Sequence, residues 1–216
     1  MEPILCNTSV ILPRPSYLAN VRDLCSREGI ILIFDEVITG FRVGLQGAQG
    51  YYAITPDLTC LGKIVGAGFP AAAFGGKAEI MNHLAPLGEV YQAGTLSGHP
   101  VAMRAGLAAI EELEKPRFYE KLEQKTSLLV ESLRKMMRDR NIQGCVNQIG
   151  SMFTPFFGAS EVRHKILLDQ QLYGQFFKHL FQQGIYIAPS PYEANFVSSA
   201  HTDEQIEKTC QAFQSF

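Results

Sequence analysis

The chain has 216 residues and a mass of 23.9 kDa, with 46% hydrophobic and 19% charged residues, a balance that supports a buried core and excludes intrinsic disorder. Its 19 Lys and Arg against 21 Asp and Glu leave a net charge of -2, which excludes the basic footprint of a nucleic-acid or anionic-membrane binder. The longest wholly apolar run, residues 30–34, falls far short of the ~20 residues that cross a bilayer, and the first residues lack a basic-then-apolar leader, so the expectation is a cytoplasmic protein.

A helix is predicted over residues 16–28, because Tyr17, Leu18, Val21, Leu24 and Cys25 recur at three- and four-residue intervals and Gly29 stands where a helix stops. The period then changes. Residues 30–34 form a continuous apolar run ending in Asp35-Glu36, the pattern of a parallel strand covered on both faces with acids at its carboxyl end, where open α/β sheets bind ligands. Two further buried strands are predicted at residues 58–61 and 71–74, the first followed directly by Gly62-Lys63. Residues 100–115 are helical and Ala-rich, Pro116 interrupts them, and a second helix runs to about residue 140.

A domain boundary is placed near residue 115, dividing 1–115 from 116–216. Beyond it, residues 145–157 read as strand, 169–183 as an amphipathic helix closed by Gly184, and 185–188 as a short strand. A last helix follows His201, with Thr202 and Gln205 at capping-box spacing. The order of elements predicts α/β in the first part and α+β in the second. Five cysteines at irregular spacing argue for reduced, mostly buried thiols, and five histidines without metal-ligand spacing argue for structural roles, so no metal is expected.

The strand ending in Asp35-Glu36 has three readings. It is similar to the magnesium strand of a P-loop ATPase, but neither Gly62-Lys63-Ile64 nor Gly76-Lys77-Ala78 completes a phosphate loop. Alternatively, Asp35 and Lys63, 28 positions apart at the ends of adjacent strands, suit pyridoxal phosphate, whose ring nitrogen needs a carboxylate and whose aldehyde needs an amine. The third reading is a structural ion pair or solvated loop charges.

The segment running from Ile33-Phe34-Asp35-Glu36-Val37 to Phe41-Arg42, followed by Pro56-Asp57 through Gly62-Lys63-Ile64-Val65-Gly66 to Phe69-Pro70, closely resembles the class III pyridoxal-phosphate aminotransferases. The stretches Gly47-Ala48-Gln49, Tyr91-Gln92-Ala93-Gly94-Thr95-Leu96-Ser97-Gly98 and Ala188-Pro189-Ser190-Pro191-Tyr192-Glu193-Ala194 are most similar to the subgroup that converts glutamate-1-semialdehyde to 5-aminolevulinate for tetrapyrrole synthesis. The resemblance implies a fold-type I α/β architecture with a mostly parallel sheet, in which residues 1–115 are the C-terminal portion of the large cofactor domain and 116–216 a small α+β domain. It implies pyridoxal 5'-phosphate as cofactor, with a pyridoxamine form in the cycle, and a homodimer sharing its sites.

By the same resemblance, Lys63 is the Schiff-base lysine and Asp35 the partner of the pyridine nitrogen. Val37 packs on the ring, and Gly94 with Thr95 reaches the phosphate of the neighbouring subunit's cofactor. Asn7, with Glu2-Pro3, lies beside the cofactor, and Glu2 and Glu193 lie near the substrate. His99 stands where the family has Asn before Pro100. Family members are about twice as long, so the chain reads as a C-terminal part, and the turn that binds the phosphate within the same subunit is not among its motifs. The rival expectations are an ordinary class III transaminase and a non-catalytic remnant that retains an assembly surface.

Overall fold

A computed structural model describes residues 1–164 and 168–216, which divide into two units. The first comprises Met1–Pro3 and Arg14–Pro116, the second Ile4–Pro13 and Arg117–Phe216. Residues 4–13 therefore group with the second unit, although the sequence reading places them in the first.

In the first unit, helix α1 (Tyr17–Glu28) ends at Gly29, whose φ of 65° and N–H donating a hydrogen bond to the Cys25 carbonyl make a left-handed cap. Leu18 and Cys25 of α1 meet Leu32 and Phe34 in a small core. The sheet consists of β1 (Ile33–Glu36), β2 (Leu58–Leu61) and β3 (Ala73–Gly76) in the order β1-β2-β3. Strands β1 and β2 are parallel, while β2 and β3 are antiparallel, so this sheet is mixed. Met1 lies against the other side of β1: its ammonium donates to the Ile33 carbonyl and its carbonyl accepts from the Asp35 amide, both at 2.8 Å. Bonds to two residues flanking Phe34 have the spacing of a parallel ladder.

Strand β1 starts three residues later than predicted, and Asp35 and Glu36 are its last two residues, at the carboxyl end where the sequence reading puts them. Its residues alternate exposed and buried, with Phe34 and Glu36 at 0% and Ile33 at 41%. The expected cover on both faces is thus corrected to cover on one. Cys60, in register with both Asp35 and Phe74, belongs to the open face, and β3 is largely exposed rather than buried.

Asp57 ties the inner side of this unit together. Its carboxylate accepts from Arg22 of α1 at 2.8 Å, from the Leu32 amide at 2.7 Å, and from the Lys77 ammonium at 2.7 Å. The Lys77 ammonium first, then the Leu32 amide and Arg22, hold this buried carboxyl well below the usual carboxylate range. A carboxyl whose folded pKa is depressed stabilises the fold above its unfolded pKa of about 4 and loses that contribution as pH falls. Asp57→Asn should therefore cost about 3 kcal/mol near neutral pH and flatten the loss of stability between about pH 4 and 2. Urea melts of both proteins across that range would check it; parallel pH curves would disprove the assignment.

Helices α2 (Gly47–Tyr52), α3 (Ala78–Met81) and α4 (Pro100–Leu113) complete this unit. Gly106 lets α4 approach the turn after β2, since a Cβ there would stand 2.3 Å from the Val65 carbonyl oxygen.

In the second unit, the strand material predicted at 145–157 is an antiparallel hairpin, β4 (Gly144–Ile149) and β5 (Met152–Phe157), turned at Gly150 with φ 51°. All six residues of central β5 are buried. Phe153 and Phe157 face a core built with α5 (Phe118–Asp139), α6 (Gln170–Gln182) and α7 (Asp203–Ser215). Phe156 faces Ile11 and Val162 instead. The second face of β5 needs a cover, and residues 4–13 supply it, which is why they belong to this unit. The predicted strand at 185–188 is not present; the third strand is β6 (Asn195–Phe196). Thr202 and Gln205 form the reciprocal capping box that starts α7.

All five cysteines are free, but only Cys6 and Cys25 are buried, fewer than the sequence reading expects. Among the described residues no helix is long and apolar enough to cross a membrane, and no group of three side chains is disposed to hold a metal.

Candidate active site

Strands β1 and β2 run parallel with Asp35 opposite Cys60 and Glu36 opposite Leu61, so Lys63, two residues beyond Leu61, emerges at the same end of the sheet as Asp35. Lys63 opens a short 3-10 turn, Lys63–Gly66, and adopts a left-handed φ of 50°. Such a backbone is uncommon for a residue bearing a Cβ and marks a position set by its surroundings. Its side chain is exposed and makes no ion pair or hydrogen bond with any described residue. Lys77, in the other Gly-Lys pair, is held on Asp57.

The two adjacent acids of β1 have opposite environments. Asp35 is exposed, and its Oδ1 accepts from the Val37 amide at 3.1 Å. Glu36 is fully buried and accepts from the Thr39 hydroxyl at 3.0 Å, the Ala48 amide at 2.5 Å, and the Gln49 amide and side chain at 3.0 and 3.1 Å. Its carboxylate thereby satisfies amides that the first turn of α2 leaves without helical partners. Gly47 makes room for it, because a Cβ there would lie 2.3 Å from Oε2. Glu36 is thus structural, and Asp35 is the acid available at the strand end.

Val37 lies directly over Gly62, where a Cβ would come within 3.2 Å of Val37 Cγ1. Asp35, Val37 and Lys63 therefore share one corner of the sheet. Gly94 and Thr95 lie in an exposed turn closed by the Ser97 amide donating to the Gly94 carbonyl at 2.9 Å. His99 immediately precedes α4, with its ring Nδ1 buried and unpartnered among the described residues. Glu2 is half-buried in the first unit, whereas exposed Asn7 and Glu193 are in the second.

Sequence reasoning missed Thr154, a fully buried residue of β5. Its hydroxyl accepts from the Val10 amide at 3.0 Å and donates to the Glu193 carbonyl at 3.1 Å. It joins the 4–13 segment to the loop that carries Glu193. A threonine in an otherwise apolar strand is the one signal that pointed to it.

Comparison with known proteins defines the class. The aminotransferase class-III family pattern matches residues 1–216, and the chain belongs to that family. Among its relatives, glutamate-1-semialdehyde 2,1-aminomutase from Protochlamydia amoebophila is 49% identical over 219 residues, covering 100% of this chain and 51% of the relative. The protein of the same name from Nitrosospira multiformis is 49% identical over 97% of this chain and 50% of its own length. The chain spans about half the length of the curated relatives it matches. An omega-transaminase from Sphaerobacter thermophilus has a TM-score of 0.89 at 30% identity, over 99% of this chain and 50% of that one. The mixed α/β architecture is that of class III transaminases and of a glutamate-1-semialdehyde aminomutase from Pseudomonas aeruginosa PAO1, which has a TM-score of 0.83 at 22% identity over 100% of this chain and 50% of its own.

Proposed function

We propose that this protein serves a pyridoxal-phosphate-dependent aminomutase reaction that converts glutamate-1-semialdehyde to 5-aminolevulinate. The observation that carries the reading is the shared position of Asp35, Val37 and Lys63 at one end of the parallel β1–β2 pair, with Lys63 the unengaged member of the two Gly-Lys pairs. The 49% identity to relatives named for the aminomutase, against 30% to the omega-transaminase, favours the aminomutase over an ordinary transaminase.

The residues present fit a pyridoxal ring. A carboxylate with few internal partners, an aliphatic side chain braced on a glycine, and an unpaired amine converge on one open corner. When bound, the cofactor supplies an electron sink and an amino-group carrier. Asp35 would keep the ring nitrogen protonated by its charge, and Val37 would fix the ring plane by packing. Lys63 would hold the cofactor covalently between turnovers and take up or return the proton at the substrate carbon that bears nitrogen. Gly94 and Thr95 would contribute donors to the phosphate held by the neighbouring subunit of a homodimer. Asn7 would orient the cofactor, and Glu2 and Glu193 would bind the polar ends of the substrate. In this reading residues 1–115, apart from 4–13, belong to the cofactor domain and 116–216 to the small domain of a cytoplasmic enzyme.

Asp35→Asn tests the electrostatic role. The substitution preserves size and leaves the Glu36 cap untouched, so stability should stay within about 0.5 kcal/mol. Turnover should fall at least roughly a hundredfold, about 2.7 kcal/mol of transition-state stabilisation. Single-turnover rates alongside thermal melts separate the two effects, and a variant with near-normal rates would reduce Asp35 to a solvated strand-end acid. Product formation without any added oxo-acid acceptor supports the aminomutase, and dependence on one supports a transaminase.

A further inference from the structure

The loop that leads into β6 and bears Glu193 is held by its main chain. At its stem, the Ala188 carbonyl accepts from the buried Tyr173 hydroxyl at 2.7 Å, and the Ala188 amide donates to Asn195 Oδ1 at 2.9 Å. The Asn195 side chain also meets the Tyr173 hydroxyl. At its tip, the Pro191 carbonyl accepts from the Ser9 hydroxyl at 3.2 Å and the Glu193 carbonyl from the Thr154 hydroxyl at 3.1 Å. Pro191 and Ala194 are buried, whereas Glu193 is exposed and its carboxylate makes no hydrogen bond or ion pair with any described residue.

Ser9 and Thr154 are 1% and 0% exposed, and the chain around them holds their hydroxyls in place. Thr154 of β5 lies in register with Asn147 of β4, and the two side chains engage both backbone groups of Val10. The Val10 amide donates to Thr154 Oγ1 at 3.0 Å, and the Val10 carbonyl accepts from Asn147 Nδ2 at 2.9 Å. Ser9 is thereby fixed through the residue that follows it. Its φ of 82° favours glycine and strains a residue bearing a Cβ. Glycine there would relieve the strain but would offer Pro191 no hydroxyl. Thr154 is the one hydroxyl in a strand that is otherwise apolar, and its Oγ1 serves as acceptor and donor at once. Both hydroxyls end on carbonyls of the same short loop, and buried polar groups with their partners in place rigidify what they join.

We propose that Ser9 and Thr154 are positioning residues that set the loop 189–193 in one shape before a substrate arrives, so that the Glu193 carboxylate is already in place. The proposal rests on the reading of Glu193 as a substrate contact. A loop that orders only on binding subtracts its lost entropy from the affinity, whereas a loop fastened beforehand does not. Loss of either hydroxyl therefore weakens substrate binding more than it slows the chemical step.

Hydrogen exchange of the full 216-residue chain, read by mass spectrometry, tests the attachment directly. Ser9→Ala and Thr154→Val each remove one hydroxyl, and the amides of residues 192–194 should then exchange about tenfold faster, the order appropriate to one lost buried hydrogen bond. Amides of α5 and α6 should keep the parent's rates, and Thr154→Ser, which retains the hydroxyl, should keep the slow loop. Ser9→Ala leaves β5 intact, so it decides the matter if Thr154→Val loses its melting transition. In the enzyme completed with the half of its relatives that this chain does not match, Ser9→Ala should raise the KM for glutamate-1-semialdehyde about tenfold and move kcat much less. In a Glu193→Gln background the same change should move KM by less than about twofold, because the hydroxyl acts through Glu193. Unchanged loop exchange in Ser9→Ala would overturn the attachment. Faster exchange with an unmoved KM, or the full KM effect in the Glu193→Gln background, would overturn the positioning role. Absence of product from the completed parent enzyme sinks the aminomutase reading instead, and loop exchange then decides the attachment alone.

Discussion

Residues 1–216 alone are expected to produce no 5-aminolevulinate, and activity is expected when the portion of the Protochlamydia amoebophila relative that this chain does not match is supplied with it. The reason lies in the donors. A phosphate group is bound by several amides and hydroxyls converging on its oxygens, and the proposed contribution of this chain is the exposed turn containing Gly94 and Thr95. The sheet argues in the same direction. Ile31 and Ile33 are 53% and 41% exposed beside Asp35, and Phe74, which pairs with Cys60 two strands from Asp35, is 44% exposed, so the face that would cradle a ring is open to water. An open site leaves water to compete for every polar contact and weakens each of them. Co-expression and assay for the product, with a parallel measurement of cofactor stoichiometry, would decide the matter. Full turnover by the 216-residue chain on its own would refute this division of the site.

In the complemented enzyme, Lys63→Ala should abolish turnover to the limit of detection. The change removes in one step the covalent anchor and the proton carrier, two contributions that act as a unit and whose loss is not additive. The fold should be indifferent. Lys63 is exposed and without described partners, so thermal stability should change by no more than about 0.5 kcal/mol. Borohydride reduction followed by peptide mapping should label Lys63 in the parent protein and no lysine in the variant. Label on Lys77 would contradict the assignment, and it is disfavoured physically because its ammonium is already committed to buried Asp57 at 2.7 Å.

The corner of the sheet was legible in the sequence because two local signals coincide there: an apolar run closing on acids, and a second run closing on Gly-Lys. Adjacent parallel strands of similar length necessarily bring such ends together, as the register of Asp35 with Cys60 records. The helices at residues 17–28 and 203–215 were equally legible, since each carries both periodicity and a terminal signal, Gly29 for one and the Thr202 capping box for the other. Less was legible where the outcome depends on a distant partner. Nothing local in residues 30–32 announces that they precede the strand, and the distinct fates of Asp35 and Glu36 depend on helix α2, a dozen residues downstream. The run at 185–188 has strand-like residues but finds no ladder, because the Asn195 side chain takes the Ala188 amide. The grouping of residues 4–13 with the second unit follows from the need to cover β5, about 140 positions away, which no short-range pattern encodes.

The division of labour between the paired acids of β1 has a consequence for how this lineage can change. Glu36 secures the strand through four hydrogen bonds, whereas Asp35 and Lys63 contribute almost nothing to holding the chain together. A sequence that lost either of the latter would keep its shape, accumulate in the cell and resist proteolysis as well as the parent does. Selection on folding alone is therefore blind to the chemistry at this corner. Catalytically silent descendants of such a domain would persist as well-formed proteins, free to be recruited for other work, while any descendant that lost Glu36 would be removed at the stage of folding.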